Sequence, residues 1–523
     1  MRGPSRGSSL LRANVAVALG TGLSRLTGFG RVAALAYALG QTRLTDAYSL
    51  ANSTPNIVYE LLLGGILTAT LVPIFVRALD ERDDDAVSAV VSVTTAVLVA
   101  LTVVATLAAP LLVRLYTLSA RGDDVDAFRA EATALARWFL PQILFYGITA
   151  LFSALLNARR RFAAPAFAPV VNNLIVIAVL LIVPALASGD LTLEHARSDT
   201  AITVVLGLGT TLGIVATALV LIPAVRASGV HLRWRPEWRH PAVLRLVRLS
   251  GWTVGYVAAN QVALLVVSIL AARREGELSA YVMAFTFFQL PHGLLAVSVM
   301  TTFAPGLASM AGRGDLRAFR GRFGYGLRLL VFAVAPAAAG YLVLAHPLVS
   351  VLLERGAFGD ASSERTAAVL VGFAFGLVGF SVYLYALRGF FALEDTRTPF
   401  LLNVMENGIN IVIALAVVGD SGVEGLAWAY ALAYTISAVV ALRTLQARVG
   451  RLRRSVLASV LRSLVAAGVT ALVVRVARDA VSGDVLQVVV GVPVGVATYL
   501  VVSAGLLALW RSAGAPPVRS AGR

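Results

Sequence analysis

Residues 157–187 read Asn157-Ala-Arg-Arg-Arg-Phe-Ala-Ala-Pro-Ala-Phe-Ala-Pro-Val-Val-Asn-Asn-Leu-Ile-Val-Ile-Ala-Val-Leu-Leu-Ile-Val-Pro-Ala-Leu-Ala187. Three consecutive arginines stand near the start, a proline follows, and 22 residues (166–187) then pass without one charged side chain. A helix of about 20 apolar residues crosses the roughly 30 Å hydrocarbon slab of a bilayer. Proline fits the first turn of such a helix, where its missing amide costs nothing, and arginines collect on the cytoplasmic flank of spans. The stretch therefore predicts a cytoplasmic loop followed by a spanning helix. The whole chain has this character: of 523 residues, 58% are hydrophobic and 14% charged, against about 45–50% and 25% in soluble proteins. That balance excludes a water-soluble fold and predicts an all-α polytopic membrane protein.

Apolar runs between charged or Pro/Gly-rich breaks fall at 14–39, 47–76, 87–113, 130–156, 166–187, 201–225, 246–271, 279–310, 324–345, 366–387, 399–417, 422–442, 455–474 and 485–510, fourteen in all. An even number returns both termini to one side. The net charge is +16, and all 44 basic residues are arginine. Sorting the loops by side puts 29 arginines with the termini and 10 opposite, which predicts cytoplasmic termini. The basic charge is thereby accounted for as orientation; no basic domain remains, and no nucleic acid is expected as a partner. Cysteine is absent, so disulfides, thiolate metal sites and cysteine nucleophiles are excluded. His195, His231, His240, His292 and His346 are scattered without an HExxH pattern, and neither a metal nor a cofactor is expected. The first apolar run is too long for a cleavable signal peptide and is read as the first span.

The 157–165 connection resembles Phe391-Ala-Leu-Glu-Asp-Thr-Arg-Thr-Pro399 at an offset of 234, and Asn173 and Asn407 keep the same offset. Pro110-Leu-Leu-Val pairs with Pro347-Leu-Val at 237, and Pro73 with Pro305 at 232. Proline starting helices after cytoplasmic loops would account for single matches; the nearly constant offset favours an internal repeat. It carries the fourth and fifth spans onto the tenth and eleventh, six helices on, so the copies share one orientation. Parallel repeats of this kind build transporters that work by alternating access. Six and six leave two further spans at the C-terminus.

Ser24-Arg-Leu-Thr-Gly-Phe-Gly-Arg31 places two arginines inside the first span. Each costs about 2.5–3.5 kcal/mol at mid-membrane on insertion scales, so the pair calls for a polar cavity, a partner or an anionic ligand. Six positions turn a helix by about 240°, which aims the two side chains apart unless Gly28 and Gly30 bend it. Arginine holds phosphate bidentately and keeps its charge, which favours a phosphate or pyrophosphate as ligand. Snorkelling to an interface, or pairing with Asp46 or Glu60, is the competing account. Further polar residues in or near spans include Arg137, Asn172, Asn173, Asn260, Gln261, Gln289, Glu406, Asn407 and Asn410; most are expected to tie helices together. Glu406 and Asn410 share a helix face, as a cation site or an interhelical hydrogen bond would require. Arg388, Glu394, Asp395 and Arg397 form an expected ion-pair latch at a helix end. Gly207-Leu-Gly-Thr-Thr-Leu-Gly213 is read as small residues for close packing, not as a nucleotide loop.

These residues resemble a known family. Ser24 to Arg31, Thr45-Asp-Ala-Tyr48 with Pro55-Asn56, Pro141-Gln-Ile-Leu-Phe-Tyr146, Leu156 to Arg159 with Phe162 to Asn173, Glu354-Arg-Gly-Ala-Phe358 and Asp395-Thr-Arg-Thr-Pro399 are similar to the bacterial lipid II flippases, the MurJ (MviN) family of the multidrug/oligosaccharidyl-lipid/polysaccharide (MOP) superfamily. The resemblance implies about 14 helices in two six-helix lobes (1–228 and 229–448), two extra helices (449–512) and a cytoplasmic tail (513–523) without fixed structure. It implies a multi-pass protein of the bacterial cytoplasmic membrane that moves the undecaprenyl-pyrophosphate-linked peptidoglycan precursor to the outer leaflet, without enzymatic chemistry. Expected partners are that precursor, membrane lipids and cell-wall synthesis proteins. Arg25, Arg31 and Asp46 match cavity residues of the family, and Asn56, Glu60 and Gln289 complete the expected substrate set. The chain also departs from the pattern: Val32 stands where an acid often follows the second arginine, Tyr59 and Glu60 replace two arginines, and Thr286 replaces another. A related exporter of another lipid-linked glycan or of drugs, and a transport-inactive scaffold, remain the alternatives.

Overall fold

A computed structural model describes residues 6–60, 65–187, 191–249 and 251–512 of the chain. The tail 513–523 lies outside them. The described residues hold helices and no strand, as expected where lipid offers no partner for an open backbone group. Ten helices among them are long and apolar enough to cross a membrane by length and composition. The expected fourteen is not reached by that measure. The first helix carries four arginines, Arg25 and Arg31 within its apolar run, another run contains residues outside the description, one apolar helix is shorter, and one 53-residue helix joins two helical segments through a non-helical Gly422.

The chain divides into two compact units, Met1–Val282 with Arg355–Ser362, and Met283–Glu354 with Ser363–Arg523. In the first unit run α1 (Arg6–Leu39), α2 (Arg43–Tyr59), α3 (Gly65–Asp80), α4 (Asp84–Leu107), α5 (Ala109–Tyr116), α6 (Val125–Phe139), α7 (Gln142–Ala158), α8 (Ala163–Leu186), α9 (Leu193–Ser198), α10 (Thr200–Arg226), α11 (Pro241–Leu249), α12 (Gly251–Ala271) and the start of α13 (Glu277–Pro291). Close helix approach rests on small residues. Gly20 of α1 lies against Ala166 of α8, while Gly207, Gly209 and Gly213 of α10 meet Trp138, Val179 and Asn172, the packing role read for them. Gly28 and Gly30 also face α8, at Asn173 and Ile177, and α1 continues as one α-helix past both.

The second unit holds the rest of α13, a π-helical turn at His292–Ala296, α14 (Val297–Gly312), α15 (Leu316–Leu353), α16 (Asp360–Ala392), α17 (Arg397–Val449), α18 (Arg454–Asp479) and α19 (Asp484–Ser512). Gly372, Gly376 and Gly379 of α16 receive Ala427, Ala431 and Thr435 of α17. Beside this seam Phe285, Phe288, Phe373, Phe380, Tyr430 and Tyr434 form a continuous aromatic cluster.

The repeat extends to the backbone. Arg160 and Glu394 are both left-handed at φ 58°, and their offset is 234. In each copy the next amide closes the helix end, Arg161 to the Leu156 carbonyl at 2.8 Å and Asp395 to that of Phe390 at 3.0 Å. At an offset of 232, left-handed Arg82 corresponds to left-handed Gly314. The following aspartates, Asp83 and Asp315, cap the next helices by accepting from the Ala86 and Ala318 amides at 2.8 and 2.9 Å.

Candidate functional site

The site builds on α1 and α2. Measured along the helix at 1.5 Å per residue, Arg31 lies about 12 Å and Arg25 about 21 Å below the Leu39 end of α1. Asn56 lies about 20 Å along α2 from its Arg43 end, and Glu60 follows at the C-cap of that helix. Arg25 and Asn56 are exposed, and Arg31 and Glu60 are half-buried. No hydrogen bond or ion pair of the Arg25 or Arg31 side chain occurs among the described residues, and neither arginine meets Asp46 or Glu60 in an ion pair. Tyr146 of α7 stacks on Tyr59 of α2 with centroids 5.9 Å apart.

α1 is held in register from the side. Asn173 of α8 donates its amide to the Ser24 carbonyl and the Thr27 hydroxyl, both at 3.1 Å. The expectation that span asparagines tie helices together describes this residue, and the tie fixes the turn that carries Arg25.

Asp46 is placed elsewhere. Fully buried, it accepts the Gly276 and Ser279 amides at 2.7 and 2.9 Å and so caps the first turn of α13. Next to it the chain builds a node that the sequence reading did not single out. Arg43, 3% exposed, donates to Asp124 at 2.8 Å and to the Arg121 carbonyl at 2.7 Å, and its own amide donates to Glu275 at 3.0 Å. Its guanidinium also lies 4.9 Å from the Phe128 ring centroid. Loop arginines are usually solvated, so composition carried no sign of this burial. The buried Thr203-to-Glu131 hydrogen bond, 2.7 Å, joins α10 to α6 between residues 72 positions apart, which no local pattern in the sequence marks.

In the second unit Gln289 is half-buried on α13. Glu406, Asn407 and Asn410 are all buried on α17. Asn407 donates back to the Asn403 carbonyl at 2.9 Å. Neither carboxylate oxygen of Glu406 meets hydrogen-bond geometry, nor do the side-chain oxygens of Asn410 and Ser437, while the Tyr434 phenol lies beside Glu406. Among the described residues no group of three or more metal-binding side chains occurs.

A repeated all-helical fold with ten helices fit to cross a membrane among the described residues is that of a polytopic membrane transporter. A family profile described as "Lipid II flippase MurJ" matches residues 35–491. The chain belongs to the MurJ lipid II flippase family. It is 30% identical over 466 residues to the "Probable lipid II flippase MurJ" of Rhizobium meliloti, covering 87% of this chain and 84% of that protein. With the "Lipid II flippase MurJ" of Burkholderia cenocepacia it shares 28% over 416 residues, 78% of each. A solved structure of a lipid II flippase MurJ in an inward closed conformation superposes with TM-score 0.78 at 20% identity, covering 95% of this chain and 99% of the other. An inward-facing multidrug resistance MATE family transporter of the MOP superfamily reaches TM-score 0.66 at 14% identity, covering 81% and 94%; this likeness concerns the fold.

Proposed function

We propose that the chain translocates lipid II, the undecaprenyl-pyrophosphate-linked peptidoglycan precursor, from the inner to the outer leaflet of the bacterial cytoplasmic membrane by alternating access. Both termini face the cytoplasm in this reading, which the 29-to-10 division of loop arginines supports. Arg25 and Arg31 take the pyrophosphate, and Asn56, Glu60 and Gln289 line its path. Asp46 acts at one end of the route, releasing and recapturing the Gly276 and Ser279 amides as the cycle turns. The observation that carries the reading is that two mid-span guanidiniums lack a protein acceptor in a chain of this family. A pyrophosphate supplies the acceptors, since bidentate arginine–phosphate bonds are among the strongest charge-assisted hydrogen bonds.

Transport of this kind forms and breaks no covalent bond. Glu406 and Asn410 offer buried oxygens outside hydrogen-bond geometry, with the Tyr434 phenol beside Glu406, and in this reading a proton or a monovalent cation, or an interhelical hydrogen bond, engages them during part of the cycle. Movement of one charge across the membrane potential supplies about 2.3 kcal/mol per 100 mV. Beyond the precursor and membrane lipids, cell-wall synthesis proteins are the partners that such a delivery route would serve. The testing experiment follows translocation of lipid II in proteoliposomes of the purified chain. Protein-dependent appearance of lipid II on the opposite leaflet supports the reading, and its absence with intact, inserted protein contradicts it.

A further inference from the structure

Helix α6 buries one face, Phe128, Ala132, Leu135, Ala136 and Phe139, and turns a different one outward. Asp126, Arg129, Thr133 and Arg137 follow one another at spacings of three, four and four along that outer face. With Pro110 and Arg114 of α5 they line a groove of about 520 Å³ carrying a net charge of +2. The side chains in it are unequally engaged. Arg129 is tied down, donating to the Thr117 hydroxyl and carbonyl at 3.0 and 3.2 Å and standing 3.8 Å from Asp126. Arg114 and Arg137 are exposed, and their guanidiniums have neither a hydrogen bond nor an ion pair among the described residues.

Depth decides what can meet them. α6 and α7 form one apolar stretch, Val125–Ala158, and Arg137 lies 21 residues from its Ala158 end, about 31 Å along a helix. That is about the thickness of the hydrocarbon layer, so with Ala158 at one boundary Arg137 comes toward the level where the acyl chains give way to head groups at the other. Trp138, 38% exposed beside it, is the residue type that gathers at this level. Leu111 on α5 and Leu118 just after it are 69% and 67% exposed, apolar side chains suited to acyl chains. Guanidiniums at an oil–water boundary are within reach of the head groups, and lipid phosphates there match their fork geometry.

We propose that the α5–α6 groove binds the phosphodiester head group of an anionic phospholipid, with Arg114 and Arg137 as ligands and Arg129 holding the groove open. The site lies in the leaflet on the side of the Arg121 loop, the outer leaflet under the orientation proposed above. It rests on the membrane reading and not on lipid II transport.

The test is native mass spectrometry of the full-length chain from detergent, supplied with phosphatidylglycerol, phosphatidylcholine or sodium phosphate. The wild type is expected to retain phosphatidylglycerol in preference to phosphatidylcholine. Arg114→Gln with Arg137→Gln should lower that retention by about tenfold, and the double lysine variant should restore part of it. Equal retention by the glutamine variant, or equal retention of both lipids by the wild type, overturns the proposal. Displacement of phosphatidylglycerol by millimolar-range sodium phosphate also overturns it, assigning the groove to a free anion. The double alanine variant at Arg25 and Arg31 should keep full retention, and a wild type that retains phosphatidylglycerol yet moves no lipid II would refute the transport reading alone.

Discussion

Arginine at mid-span is tolerated only where something repays its desolvation, and α1 carries two of them. Arg25→Ala or Arg31→Ala should abolish lipid II translocation while the protein stays inserted, and the lysine variants should recover only part of it, because ammonium keeps the charge and loses the fork. Proteoliposome flux set against membrane yield checks both statements. Asp46 serves structure in the described state, holding two backbone amides of α13. Asp46→Ala leaves these donors buried and unsatisfied, at about 1–3 kcal/mol each, and a thermal unfolding midpoint several degrees lower is expected. Arg43→Gln removes the bonds to Asp124 and the Arg121 carbonyl. Asp124 is 39% exposed, so water takes over part of its demand and the loss should stay near 2 kcal/mol. Arg25 and Arg31 could be singled out from sequence because charge is conspicuous among apolar residues. The Arg43 node could not, because burial of a loop arginine depends on Asp124, Arg121 and Glu275, distant in the chain.

Element packing was legible where a residue has one physical use. Pro165 and Pro399 each stand third in their helices, α8 and α17, and the repeat seen from them extends to matching left-handed turns. The expected latch at the start of α17 exists with a different partner: Asp395 pairs with Arg448 at 2.5 Å and accepts the Thr398 amide at 3.0 Å. Arg448 is 53 positions beyond Asp395, at the far end of the same merged helix, so local charge counting could not find it. Partial burial of Asp395 works against its ionised form, but the Thr398 hydrogen bonds and the Arg448 charge prevail and hold its carboxyl below the usual range. A depressed folded-state value stabilises the fold above the unfolded one, about 3.9 for aspartate, and that contribution disappears as pH falls through the folded value. The difference in unfolding midpoint between wild type and Asp395→Asn should therefore be full at pH 7 and close under acid. Along the α16–α17 seam a Cβ at Gly376 would fall 2.5 Å from the Ala431 Cα. Gly376→Val should cost about 1–3 kcal/mol through overpacking, visible in the same unfolding assay.

For the whole molecule, composition alone separates membrane from water, and the loop arginines alone indicate which way the chain enters. A chain without cysteine is a ready background for testing that orientation. A single cysteine at Ser228 should escape a membrane-impermeant maleimide in intact cells, whereas one at Asp123 should react; the opposite pattern would reverse the topology. The number of spans was less legible than their existence, because Gly422 joins two expected spans into one long helical stretch and the α1 arginines lower its apolar character. The account stands on the α1 guanidiniums carrying a lipid pyrophosphate across the bilayer. Its most direct test is leaflet-resolved measurement of lipid II in cells whose only flippase is this chain, either wild type or doubly substituted to alanine at Arg25 and Arg31. The account predicts precursor on the outer leaflet with the wild type and accumulation on the inner leaflet with the double variant; outward delivery at the normal rate by a fully inserted double variant would contradict it.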